Sequence, residues 1–121
     1  MQQSQRVTPV LRIFDLSKAK EFYIGFLDFN IDWSHQFDEN FPIYLQLSKD
    51  GYMIHLSEHH GDVTPGSYLR IWTEDLEAFS NTLTEKEYKY AKPTIEKTAW
   101  DTLELSIVDP FSNRLTFWKD L

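Results

Sequence analysis

The strongest constraint on this chain is that its second half repeats the pattern of its first. Arg12-Ile13-Phe14-Asp15-Leu16 is echoed by Arg70-Ile71-Trp72-Thr73-Glu74-Asp75-Leu76. Each is an apolar, strand-like run that enters an acid and then a leucine. The two acids, Asp15 and Asp75, lie 60 positions apart, and the turn residues Gly51 and Ser112 lie 61 apart. Self-similarity at a fixed spacing points to one supersecondary unit used twice. A unit of about 55 residues is marginal alone, because it buries too little of its surface. Two such units are expected to stack their sheets side by side, with their inner faces forming one curved cleft.

Local patterns give the content of each unit. Leu16, Ala19, Phe22, Tyr23, Phe26 and Leu27 recur at helical spacing, as do Leu76, Phe79 and Leu83. Asp15 and Asp75 are placed to cap these helices, since a short carboxylate accepts from free N–H groups of the first turn. Hairpins close both halves. One runs from Ile43 to Ser57 around Lys49-Asp50-Gly51, the other from Thr102 to Trp118 around Asp109-Pro110-Phe111-Ser112-Asn113. Alternation is clear in Ile43/Leu45/Leu47 and in Leu103/Leu105/Ile107. A further strand is expected at Ile31–His35 and at Thr94–Lys97. The predicted fold is therefore α+β, with two βαβββ modules in tandem: residues 6–58 and 67–121 of a single domain, 1–121. The polar segment from Glu58 to Gly66 joins them.

Composition removes several functional classes. The 121 residues contain no cysteine, which excludes a disulfide scaffold, a thiol nucleophile, an iron–sulfur cluster and cysteine-ligated zinc. No apolar run approaches the ~18 residues of a membrane span. The start, Met1-Gln2-Gln3-Ser4-Gln5-Arg6, is polar and lacks a signal-peptide core, so a cytoplasmic address is expected. A net charge of −7 opposes phosphate backbones and argues against nucleic acid, while favouring a cationic partner.

Catalytic constellations are sparse. There is no Gly-x-Ser-x-Gly elbow and no phosphate-cradling glycine loop. His55, His59, His60 and Asp62 fall within eight residues, a composition that suits zinc or nickel. The plainer reading is a strand histidine followed by loop groups that bond the backbone; His35 reads as a surface residue. Glu104 alternates with Leu103 and Leu105, so it points to the opposite face, which either lines a cleft or meets solvent. Aromatic residues are abundant, with four Trp, six Tyr and nine Phe. Phe14, Phe22, Phe26, Phe79 and Phe117 suit interior faces. Trp33, Phe37, Phe41, Trp72 and Trp100 stand among polar neighbours or at strand boundaries and suit an interior less well.

These stretches in this order resemble the vicinal oxygen chelate superfamily, which includes glyoxalase I, ring-cleaving dioxygenases, fosfomycin-modifying enzymes and bleomycin-resistance proteins. The resemblance rests on Val10-Leu11-Arg12-Ile13-Phe14-Asp15-Leu16 with Phe22-Tyr23 and Leu27-Asp28-Phe29. It rests also on Leu56-Ser57-Glu58-His59-His60-Gly61-Asp62 with Pro65-Gly66, and on Ala99-Trp100-Asp101 with Val108-Asp109-Pro110-Phe111-Ser112-Asn113-Arg114-Leu115. Within the superfamily the chain most resembles the bleomycin-resistance proteins, through Pro9, Pro65-Gly66 and Trp100. Two family glycines are replaced, by Asp101 and by Ser112, at positions that favour a positive backbone angle.

The resemblance implies a divalent metal in enzymatic members, held at positions that here are Thr8, His55, Tyr68 and Thr116. Only His55 is a competent ligand, so no metal, no cofactor and no catalytic residue are expected. The resemblance further implies a homodimer, domain-swapped at its first strand, with Pro9 as the hinge. Its ligand would be a small, bleomycin-like molecule captured in clefts at the subunit interface. Trp33, Phe37, Phe41, Trp72 and Trp100 would stack on planar rings, and Asp32, Asp38, Glu39 and Asp101 would attract a cationic tail. The expected function is antibiotic binding without chemistry. The alternatives are a metal-dependent enzyme, glyoxalase-like lyase or dioxygenase, and a regulatory dimer that binds another planar metabolite.

Overall fold

The computed structural model describes residues 5–121; residues 1–4, part of the polar start, lie outside the described residues. The chain divides into two compact units, Met1–Pro65 and Gly66–Leu121. The first carries strand β1 (Val10–Arg12), helix α1 (Leu16–Ala19) continuing as a π-helical segment (Lys20–Phe26), and strands β2 (Asn30–Gln36), β3 (Ile43–Lys49) and β4 (Tyr52–Ser57). The second carries β5 (Tyr68–Trp72), α2 (Leu76–Glu85), β6 (Glu96–Lys97), β7 (Thr102–Val108) and β8 (Arg114–Asp120). Each unit is thus βαβββ, and the fold is α+β with two tandem modules.

The sheets repeat one topology. Their orders are β1-β4-β3-β2 and β5-β8-β7-β6. In both, the first strand runs parallel to the last, and the remaining pairs are antiparallel. Within the chain β1 pairs with β4, Val10 opposite His55, and the Pro9 carbonyl accepts from the His55 amide at 2.9 Å.

Backbone strain falls at matched places in the two modules. Positive φ angles occur at Asp28 and Glu87, at Asn40 and Asp101, and at Gly51 and Ser112. Asp101 (φ 65°) and Ser112 (φ 72°) therefore hold the left-handed conformation expected of the glycines they replace. That conformation brings Cβ close to the backbone in any L-residue, and Asn and Asp tolerate it best.

The strand pleat sorts the side chains. Ile43, Leu45 and Leu47 are buried with Ile54 and Leu56 on one face of the first sheet. Leu105, Ile107, Leu115 and Phe117 are buried in the second unit. In the first unit the helical stretch buries Phe22, Tyr23, Phe26 and Leu27, and Phe22 meets Tyr23 edge to face at 5.0 Å.

Four local expectations need correction. Leu16 to Leu27 is not one α-helix: after Ala19 it widens to π geometry, and the Leu27 amide donates to the Phe22 carbonyl. Asp15 caps its helix, accepting from the Lys18 amide at 2.9 Å, but the Asp75 side chain makes no capping bond. The strand expected at Thr94–Lys97 is only two residues long. Phe14 is 56 % exposed, because β1 ends at Arg12 and its ring lies under the Arg12 guanidinium, 4.6 Å away.

Candidate functional site

On β3, Tyr44, Gln46 and Ser48 alternate with the buried leucines and so share the opposite face. Register places Gln46 across from His55 of β4 and Trp33 of β2. The ladder shifts between Ile31 and Trp33, and this irregularity lets Asp32 reach the same face. Trp33 and Tyr44 lie nearly parallel, 12° apart in plane with centroids 6.1 Å apart. The His55 ring meets Trp33 at 5.4 Å and Tyr44 at 5.2 Å, both edge on, and His59 lies 6.4 Å from Tyr44.

A continuous hydrogen-bond chain links the Tyr44 and His55 rings to the polar groups beside them. Tyr44 Oη meets His55 Nδ1 at 2.7 Å, and His55 Nε2 meets Gln46 Oε1 at 3.0 Å. Gln46 Nε2 donates to Asp32 Oδ2 at 3.0 Å, and Ser48 Oγ donates to Asp32 Oδ1 at 2.8 Å. Burial pushes the His55 imidazole below its ordinary value, which keeps it neutral. Burial first, and the Asp62 charge second, push the Tyr44 phenol up and keep its proton. Both ring nitrogens of His55 are therefore engaged with protein groups.

The matching face of the second unit is ionic. Arg70 makes a two-pronged contact with Glu104, at 3.2 and 2.7 Å. Glu104 also accepts from Thr102 Oγ1 at 2.8 Å and from the Trp100 indole at 3.4 Å. Arg70 holds the carboxyl down at about 2, and Thr102 and Trp100 add to the effect against the opposing pull of burial. The Arg70 guanidinium lies 5.4 Å from the Trp118 ring. Tyr68 Oη contacts Thr116 Oγ1 at 3.1 Å, and Thr116 Oγ1 contacts Ser106 Oγ at 2.7 Å. Glu104 thus belongs to an ion pair on this face, and its side chain is 12 % exposed.

The remaining expected site residues fall into smaller groups. Phe37 and Phe41 follow β2 and touch, with centroids 5.4 Å apart. Phe41 also lines a hollow of about 240 Å³ with Arg12, Phe14, Asn40, Pro42 and Glu58. Asp38 and Glu39 lie in the same exposed turn, where the Glu39 amide donates to Asp38 Oδ1. Trp72 ends β5 and is exposed; Trp100 and Asp101 form the exposed turn before β7. Sequence reasoning missed Tyr44, Gln46, Arg70 and Arg12. The alternation of Tyr44, Gln46 and Ser48 against Ile43, Leu45 and Leu47 was the signal that marked the first two.

The donor set does not fit a metal. Thr8, Tyr68 and Thr116 carry only neutral hydroxyls, which are weak ligands for a divalent ion. His55 lacks a free lone pair while Tyr44 and Gln46 bond it. Among the described residues no group of three or more His, Cys, Asp or Glu side chains is arranged to hold an ion, so His55, His59, His60 and Asp62 do not converge as one. Asp62 instead accepts from Ser57 Oγ at 2.7 Å.

The two sheets, alike in strand order, define an α+β chain of duplicated βαβββ modules. A family profile described as glyoxalase superfamily protein matches residues 2–120, and the chain belongs to that superfamily. Solved structures share the fold at low identity. A bleomycin-binding protein complexed with bleomycin is 20% identical, with a TM-score of 0.72 over 98% of this chain and 100% of that one. A bleomycin resistance determinant encoded on the transposon Tn5 is 18% identical, with a TM-score of 0.74 over 97% and 98%. A glyoxalase-related enzyme from Clostridium phytofermentans is 17% identical, with a TM-score of 0.73 over 99% and 98%. No curated protein matches the sequence. Among the described residues no helix is long and apolar enough to cross a membrane.

Proposed function

We propose that the protein binds and sequesters a flat, ring-bearing, cationic small molecule of the bleomycin kind and does no chemistry on it. The observation that carries this reading is the near-parallel pair of rings, exposed Trp33 and half-buried Tyr44, beside polar groups already bonded to one another. Flat rings gain by stacking on such a surface, and a cation gains from nearby π faces and from the net charge of −7. Phe37, Phe41, Trp72 and Trp100 are further exposed rings available for the same purpose. Asp32, Asp38, Glu39 and Asp101 supply negative charge.

The dimer and the cytoplasmic location belong to the same proposal, as does exchange of the first strand about Pro9, which would replace the β1–β4 pairing made here within one chain. A bleomycin-binding protein and a bleomycin resistance determinant with this fold support the choice of ligand class. Metal-dependent lyase or dioxygenase chemistry is the rival, and the hydroxyl-rich donor set argues against it. The experiment is incubation with excess bleomycin, followed by denaturation and mass analysis of the recovered drug. Retention of drug of unchanged mass supports sequestration; a changed mass defeats it in favour of an enzyme.

A further inference from the structure

The hydrogen-bond chain beside Trp33 has a fixed direction. Asp32 is a carboxylate and only accepts, so the Gln46 amide must turn its Nε2 toward it; the flipped amide sets oxygen against oxygen. Gln46 Oε1 then faces His55 Nε2, and an oxygen without hydrogen requires that this nitrogen carry the proton. A neutral imidazole has one N–H, so His55 Nδ1 is bare and accepts from the Tyr44 hydroxyl. Every proton in the chain is donated toward Asp32. Tyr44 Oη therefore has no hydrogen left to offer. It makes no other hydrogen bond among the described residues.

Two consequences follow for anything lying on the rings. Tyr44 Oη acts purely as an acceptor toward a ligand. Bonds aligned head to tail also polarise one another, which raises the electron density at the open end. A flat ring stacked parallel to Trp33 and Tyr44 has its edge within a ring's width of that oxygen. We propose that Tyr44 is a specificity-determining residue, selecting planar ligands with an amino or other N–H donor on the ring edge and rejecting those with an acceptor there. His55, Gln46 and Asp32 are positioning residues that act through Tyr44. This rests on the ring-binding reading above and adds the chemical class of ligand that the face accepts.

The test has a ligand-free arm and a ligand arm. A long-range proton–nitrogen NMR correlation of the intact protein at neutral pH is expected to show His55 as the Nε2–H tautomer. An Nδ1–H tautomer overturns the proposal. For the second arm the probes are quinoline, 6-aminoquinoline and 6-methoxyquinoline, followed by tryptophan fluorescence. The amino probe is expected to bind about three- to tenfold more tightly than the methoxy probe, the range of one hydrogen bond. Tyr44→Phe is expected to bring that ratio close to one. A ratio that persists in Tyr44→Phe overturns the proposal. If all three probes bind wild type equally and Trp33→Ala abolishes binding, ring capture stands and the selectivity falls. If none binds wild type, both fall.

Discussion

Asn113 and Asp109 are buried together at the β7–β8 turn. Asp109 Oδ1 accepts from the amides of Phe111 and Asn113, and its Oδ2 accepts from Asn113 Nδ2, each at 2.8 Å. Asn113 Oδ1 in turn accepts from the Ser67 amide at 3.2 Å, tying the turn to the segment that leads into β5. Asn113→Ala removes a donor from a buried carboxylate and an acceptor from a backbone amide, so it should cost about 2–4 kcal/mol. Urea unfolding of the variant checks this, and a cost under about 0.5 kcal/mol contradicts it. The Asp-Pro-x-x-Asn motif was legible in sequence as a turn, but its sealed interior was not, because burial depends on chain segments far apart in order. Glu104 has a pH signature. Its folded value of about 2 lies below the ordinary 4.5, so the unfolded state binds the proton first as pH falls. The ion pair's contribution is therefore present above pH 4.5 and is lost as pH falls through about 2. Melting temperature measured across that window should fall less steeply for Glu104→Gln than for wild type.

The two helices differ at their starts although both follow an Asp-Leu pair. Asp15 accepts from the Lys18 amide, whereas the Asp75 side chain makes no capping bond. Asp15→Ala should therefore cost about 1 kcal/mol and Asp75→Ala only a few tenths, measured by chemical denaturation. Equal costs contradict the assignment. Strand order within each hairpin was legible because alternation and turn chemistry are local. The π-helical segment was not, since its spacing of buried rings at Phe22, Tyr23 and Phe26 reads equally as an α-helix. The same limit hid the polar face of β3: alternation identified the leucines that fill the core, and the residues between them make up the candidate site.

Across the whole molecule, duplication is visible in sequence offset, in sheet order and in the matched positive φ positions. What duplication does not carry is the chemistry of the two faces. The first is a ring pair beside a directed hydrogen-bond chain; the second is an Arg70–Glu104 ion pair with Trp100 on its edge. Sequence identified Trp33, Asp32, Trp100 and Glu104 singly, but their partners Tyr44, Gln46 and Arg70 come from strand register. The measurement that bears most directly on the proposed capture is calorimetric titration of chelator-treated protein with metal-free bleomycin, wild type beside Trp33→Ala. Saturable binding at one drug per chain, lost or weakened at least tenfold in the variant, is the predicted result. Absence of heat and of binding at micromolar drug, or tight binding that Trp33→Ala leaves intact, contradicts it.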